Sequence, residues 1–177
     1  MKIEKAIEHD LNEILTLFNK TQSWLIEQGY EAQWGIRPFT ENPGQIERFK
    51  HWLAHGTFYV LRHEGSIVST LVIGDQAPAY TLAAFTHPPQ TLYLEAFATN
   101  PAYRGKGIGK MLLQWAEQEA EGKKAERLRL DCWAGNHALR KYYQSAGFQE
   151  VGEFQVHTWP GVLFEKQADW LKRESDR

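Results

Sequence analysis

The chain has 177 residues, 42% of them apolar and 24% charged, with a formal net charge of −2. That is the composition of one ordinary globular domain with enough chain to bury a core, not of a disordered segment. The near-neutral balance argues against a nucleic-acid partner, and no apolar run approaches the ~20 residues of a membrane span.

Met1 to Lys5 lacks the apolar stretch of a secretory signal, and Cys132, the one cysteine, excludes an intrachain disulfide. These features fit a cytoplasmic protein. Seven Trp, seven Tyr and nine Phe are many for this length, and some are expected to line a pocket. There is no internal repeat, low-complexity tract or linker, so residues 1–177 are expected to form one alternating α/β domain.

In chain order, Asp10 and Glu13 read as a capping box for a first helix, carried on by Leu11, Ile14, Leu15 and Phe18. Asn42-Pro43 with Gln45 predicts a second helix with Ile46, Phe49 and Leu53 as its stripe, ended by Gly56. Phe58–Leu61 and Ile67–Ile73 are strand-like runs joined by a Glu64-Gly65 turn. A Pro- and Ala-containing connection follows from Asp75 to Gln90, then a strand from Thr91 to Thr99. A third helix starts near Gly107, with Ile108, Met111, Leu112 and Trp115 expected to be buried. Leu128–Trp133 predicts a strand, and Asn136–Ala146 a short helix stopped by Gly147. Leu139, Tyr142 and Ala146 make the expected buried stripe of that helix, leaving Tyr143 to face a cleft. Two more strands are expected at Glu150–His157 and Val162–Lys166, and then a tail that is polar apart from Trp170 and Leu171.

The stretch from Leu92 to Phe148 carries the function. A strand delivers the chain through Asn100-Pro101 to Arg104-Gly105-Lys106-Gly107-Ile108-Gly109-Lys110, which opens an amphipathic helix. Glycines let backbone approach a ligand, and the unpaired N–H groups and dipole of a helix start favour phosphate. Lys106 and Lys110 add positive charge. The spacing is wrong for a P-loop, because Lys110 is followed by Met111, and wrong for a dinucleotide fingerprint, because position 110 is not Gly. What remains is Arg-x-x-Gly-x-Gly, met by Arg104, Gly107 and Gly109.

This loop, after the strand Leu94–Thr99, resembles the acetyl-CoA-binding motif of the GNAT (Gcn5-related N-acetyltransferase) superfamily. A second block agrees: strand Leu128–Trp133, then Asn136, then Tyr143 and Gly147-Phe148. The two blocks together cover about a third of the chain. The resemblance implies a mixed α/β fold: a central, mostly antiparallel twisted sheet of six to seven strands with a splayed parallel pair, flanked by about four helices. It implies acetyl-CoA as cosubstrate, no metal, and an amine acceptor on a small molecule or peptide, and it leaves a homodimer open. Backbone at Phe97, Ala98 and Thr99 would pair with the pantetheine arm. Amides of Arg104, Gly105, Lys106, Gly107, Ile108 and Gly109 would hold the diphosphate, with Lys110 and Asn136 as further cofactor contacts. Tyr143 would face the departing sulfur, and Glu95 is the leading candidate to accept the amine proton. A backbone N–H near Phe97 would polarise the carbonyl.

Each assignment has a plainer counterpart. Asn136 is also a favoured helix cap, Tyr143 could fill core, and Glu95 could pair with Arg129, while Asp131 and His157 are rival bases. His51 and His55 have metal-pair spacing but position 52 is Trp, so a solvated helix face fits better. Cys132 reads as a small core residue. The aromatic segment from Trp24 to Phe39 is either an acceptor wall, with Trp34 and Arg37 setting specificity, or packing between two helices. Other functional readings are transfer of a longer acyl group, a hydroxyl acceptor, or a CoA-sensing domain without turnover.

Overall fold

The computed structural model describes residues 1–169 and residue 171; Trp170 and residues 172–177, part of the tail read as polar, lie outside the described residues. The chain divides into two compact units, Met1–Ile73 with Ala96–Leu112, and Gly74–Glu95 with Leu113–Arg177. Seven strands form a mixed sheet in the hydrogen-bonded order β1-β2-β3-β4-β5-β7-β6.

In the first unit, β1 (Lys2–Lys5) pairs antiparallel with β2 (Phe58–His63), and β2 pairs antiparallel with β3 (Ser66–Gly74). Glu64 (φ 49°) and Gly65 (φ 80°) are both left-handed, as a tight two-residue hairpin turn requires. Two helices belong here, α1 (Leu11–Glu27) and α2 (Pro43–Ala54). Asn42 caps α2 by accepting from the Gln45 N–H at 3.4 Å, and Pro43 takes the first helical position. Ile14, Phe18, Phe49, Leu53, Phe58 and Val60 pack into the core that holds these elements together.

The capping box expected at Asp10 is not formed. A 3-10 turn, Glu8–Asp10, leads into α1, and Asp10 itself has helical backbone. Its Oδ2 accepts from the Ile7 N–H at 3.0 Å and its Oδ1 from Arg62 at 2.6 Å, while Glu13 Oε1 accepts from the Ile67 N–H at 2.7 Å. Asp10 is therefore divided between a neighbour three residues away and a distant arginine, while Glu13 serves a distant strand. Burial opposes the Arg62 charge, but the hydrogen bonds it donates to Asp10 and Glu4 outweigh it and hold its pKa above the usual arginine value.

In the second unit, the start of β4 (Thr91–Thr99) pairs in parallel with β5 (Arg127–Trp133). β5 pairs antiparallel with β7 (Trp159–Gln167), and β7 with β6 (Gln149–Val156). The β4–β5 ladder joins Thr91–Tyr93 to Arg127–Arg129 and stops, although both strands continue. Further along β4, Ala96 has φ 48°, a left-handed kink inside a strand, and Thr70 Oγ1 donates to its carbonyl at 2.7 Å. The connection after β3 holds a single-turn helix, α3 (Ala79–Leu82), that the sequence did not announce. Two longer helices follow, α4 (Ile108–Gly122) and α5 (His137–Ser145), the latter followed by Gly147 at φ 90°.

The buried face of α4 differs from expectation. Ile108 and Leu112 are buried, but Met111 is 40% exposed and Trp115 is half-buried. Leu113, Ala116 and Ala120 take their place. Alanines carry little weight in a search for bulky apolar residues, yet at i, i+4 spacing they let a helix seat closely.

Candidate active site

The glycine loop is built within the first unit. Asn100 opens a 3-10 turn, Pro101–Tyr103, by accepting from the Ala102 N–H at 3.0 Å. The Arg104 N–H then donates to Pro101 O at 3.1 Å and the Lys106 N–H to Tyr103 O at 3.3 Å. Gly105 (φ 72°) and Gly107 (φ 74°) are left-handed, which side-chain-bearing residues rarely tolerate. Among the described residues, the N–H groups of Gly105, Gly107, Ile108, Gly109 and Lys110 donate to no protein acceptor. They surround the start of α4, where the dipole adds partial positive charge. A phosphate-bearing ligand fits this arrangement. Two of the six amides expected to hold it, those of Arg104 and Lys106, are instead engaged in forming the loop.

The end of β4 is held from the side. Ser69 Oγ donates to Ala98 O at 2.7 Å, and Thr21 Oγ1 donates to Thr99 O at 3.3 Å. Ala98 is buried, and Phe97 and Thr99 are half-buried. The guanidinium of Arg104 lies 4.0 Å from the centre of the Trp24 ring, and Lys106 Nζ lies 4.8 Å from that of Tyr103. Trp34 stacks on Phe18 at 5.2 Å and meets Phe39 edge-on at 5.6 Å, so it packs against the core of its unit. Arg37 is exposed, and its carbonyl accepts from Gln22 Nε2 at 3.0 Å.

In the second unit, Asp131 on β5 receives two phenol hydrogen bonds on Oδ2, from Tyr93 at 2.5 Å and from Tyr80 at 3.0 Å. Burial, then Asp131 and more distantly Glu95, push the Tyr93 phenol far above its usual pKa, which keeps it a donor. Glu95 is half-buried near the end of this unit's share of β4. The ion pair found for Arg129 is with Glu165, at 2.7 Å, and Arg129 also donates to Thr86 O at 2.7 Å.

On α5, Asn136 is the cap, accepting from the Leu139 N–H at 3.0 Å. The expected stripe is corrected: Tyr143 is the buried residue of α5, at 4% exposure, while Leu139, Tyr142 and Ala146 are half-buried. Tyr143 packs on Phe164 of β7 at 5.5 Å and on Phe148 at 6.2 Å. Burial, with Cys132, Tyr142 and Asp131 as smaller contributors, holds its phenol well above the usual pKa. Burial likewise pushes the Cys132 thiol up to about 12, so it stays a protonated core residue and not a nucleophile. His51 and His55 stand on the exposed side of α2, with His55 Nδ1 2.8 Å from His51 O. Among the described residues, no three His, Cys, Asp or Glu are grouped to hold a metal.

Sequence reasoning missed the Tyr80–Asp131–Tyr93 cluster and the Arg104–Trp24 stack. The only local hint of the first was Pro78, which precedes the turn that presents Tyr80.

Comparison with known proteins agrees with this geometry. A sequence profile described as the acetyltransferase (GNAT) family matches residues 24–148. The uncharacterized N-acetyltransferase YesJ of Bacillus subtilis (strain 168) is 25% identical over 152 residues, spanning 83% of this chain and 81% of that protein. The S-alkylcysteine N-acetyltransferase of the same organism is 26% identical over 164 residues, spanning 91% and 85% respectively. Among solved structures, a GNAT-family acetyltransferase from Streptococcus agalactiae 2603 shares the fold with a TM-score of 0.75, at 16% identity and 94% coverage of both chains.

Proposed function

Because this chain belongs to the acetyltransferase (GNAT) family and is an acyltransferase of that kind, we propose that it takes the acetyl group of acetyl-CoA to a primary amine of a small molecule or protein. The observation that carries the cosubstrate is the run of N–H groups without protein acceptors at Gly105, Gly107, Ile108, Gly109 and Lys110. Such a run suits a diphosphate and serves no structural need of its own.

In the proposed reaction the acceptor nitrogen bonds to the acetyl carbon while the carbon–sulfur bond breaks. Glu95 takes the proton that nitrogen loses, and Tyr143 donates a hydrogen bond to the departing sulfur. An ordinary phenol is already about 2 kcal/mol too weak an acid to protonate a thiolate outright. Burial of Tyr143 widens that gap, which favours a hydrogen bond over full proton transfer. The S-alkylcysteine enzyme of B. subtilis lends weight to an amino-acid-like acceptor, whose amine would arrive as an ammonium and need a base.

Thermal unfolding with and without acetyl-CoA tests the reading. Ligand at about 100 times Kd adds ~2.7 kcal/mol of stability, roughly 5–10 °C for a domain of this size. Wild type should shift and Gly107→Glu should not, because position 107 is left-handed and the new carboxylate would face the phosphates. No shift for wild type at saturating acetyl-CoA sinks the proposal.

A further inference from the structure

Arg104 sits where the rigid and the free parts of the glycine loop meet. Before it, the 3-10 turn is fixed by hydrogen bonds; after it come Gly105 and Gly107, neither with a neighbour within 4 Å of the position a Cβ would take. Among the described residues no carboxylate pairs with Arg104. Its guanidinium instead lies over the indole of Trp24, 4.0 Å from the ring centre. Trp24 is half-buried on α1, one turn beyond Thr21, whose Oγ1 lies 3.0 Å from Leu17 O of its own helix and 3.3 Å from Thr99 O, its one proton shared between them. Residues three apart share a helix face. One face of α1 therefore grips the segment at both ends, Thr99 where β4 finishes and Arg104 where the glycines begin.

The chemistry of that grip is specific. A guanidinium is planar and carries its N–H groups in the plane, so stacking occupies its face and leaves its edges to donate. With its Cζ over the Trp24 indole, Arg104 is held at the loop entrance while its N–H groups stay able to meet an anion. It also fixes the entry to two glycines that would otherwise lose much conformational freedom on binding.

We propose that Trp24 is a positioning residue for the loop that binds the diphosphate of CoA, acting through Arg104. The proposal rests on the CoA reading given above. It predicts coupling between two residues that are 80 positions apart in sequence. The affinity at stake is for the phosphate-bearing part of the cosubstrate, not for the acceptor.

The test is a double-mutant cycle read by calorimetric titration with CoA, on wild type, Trp24→Ala, Arg104→Ala and the double variant. Trp24→Ala should weaken CoA by about two- to fivefold, the range for an exposed cation–π contact, and should do nothing further once Arg104 is gone. Trp24→Phe, which keeps a ring face, should restore most of the affinity. If Trp24→Ala does not fold, Trp24→Leu, apolar but without a ring face, takes its place in the cycle. Equal losses with and without Arg104, no loss at all, or a Phe variant as weak as the Ala variant each overturn the proposal. Failure of wild type to bind CoA is a different result, and it removes the cosubstrate reading itself.

Discussion

Two aromatic clusters, one in each unit, use similar side chains for different ends. In the first unit Phe18, Phe39, Phe49 and Phe58 are buried, with Trp34 and Trp52 packed around them. Phe49 lies near the middle, 4.8 Å from Phe18, 5.6 Å from Phe58 and 5.5 Å from Trp52 by ring centres. The four buried phenylalanines bring no polar atom, so their packing serves the core of the unit. In the second unit the rings are Tyr80, Phe85, Tyr93, Phe154 and Trp159, and two phenols converge on Asp131. A buried hydroxyl must find a partner, and here that need gathers donors around a carboxylate. The difference lies in two phenol oxygens, those of Tyr80 and Tyr93. It separates a cluster of buried phenylalanines from one that gathers two phenols around a carboxylate.

The sharpest way to break this contrast is Phe49→Ala. It should cost about 3–5 kcal/mol through lost burial and a cavity, lowering the unfolding midpoint by roughly 10 °C. Turnover per folded molecule should be unchanged. A fall in turnover beyond the fall in folded fraction would mean that the first cluster also shapes the site.

Asp131→Asn comes next. It removes the charge while keeping the shape, and should cost about 1–3 kcal/mol as the buried Tyr93 and half-buried Tyr80 phenols lose a charged acceptor. It should also bring the Tyr93 phenol part of the way back toward its usual pKa, because Asp131 reinforces the effect of burial there. Alkaline spectrophotometric titration reads that change directly. Wild-type stability carries the same sign: phenols raised in the folded state contribute fully below the unfolded tyrosine pKa, about 10, and that contribution is lost as pH rises above it. A Tyr93 titration unmoved by Asp131→Asn would show that burial alone sets it.

Tyr80→Phe is the smallest change. It keeps the ring stacked on Phe154 at 5.8 Å and deletes only the hydroxyl that reaches Asp131. The expected cost is about 0.5–1.5 kcal/mol in denaturant unfolding. A loss of turnover well beyond that cost would place Tyr80 in the reaction and not only in the support of α3.

Local chemistry explains which features could be read in advance. The Glu64-Gly65 hairpin, the Asn42 cap, the Asn136 cap and the glycine loop are each decided by a few adjacent residues, and each was legible. The features that escaped are decided by partners distant in sequence. Asp10 and Glu13 look like a cap, but Arg62 and the Ile67 N–H recruit them. Tyr142 and Tyr143 are equally plausible as the buried member of α5 until Phe164 and Phe148 choose Tyr143. Tyr80 has no meaning until β5 brings Asp131 to it. Of the site, the loop was visible because glycine spacing is itself a signal. The Trp24–Arg104 stack was not, because nothing in either segment names the other.

The kink at Ala96 has a consequence for how reliably the chain assembles. A slip of two residues keeps every side chain on its own face, so the alternation of faces alone does not forbid it. A single left-handed alanine, about 1–2 kcal/mol uphill by itself, removes that degeneracy. Its carbonyl matches Thr70 Oγ1, and the next outlets match Ser69 and Thr21, in one alignment only. Displaced by two positions, the Ala96 and Ala98 carbonyls would no longer stand opposite the Thr70 and Ser69 hydroxyls that donate to them. β4 thus works like a key with one offset tooth, admitting a single position in the lock.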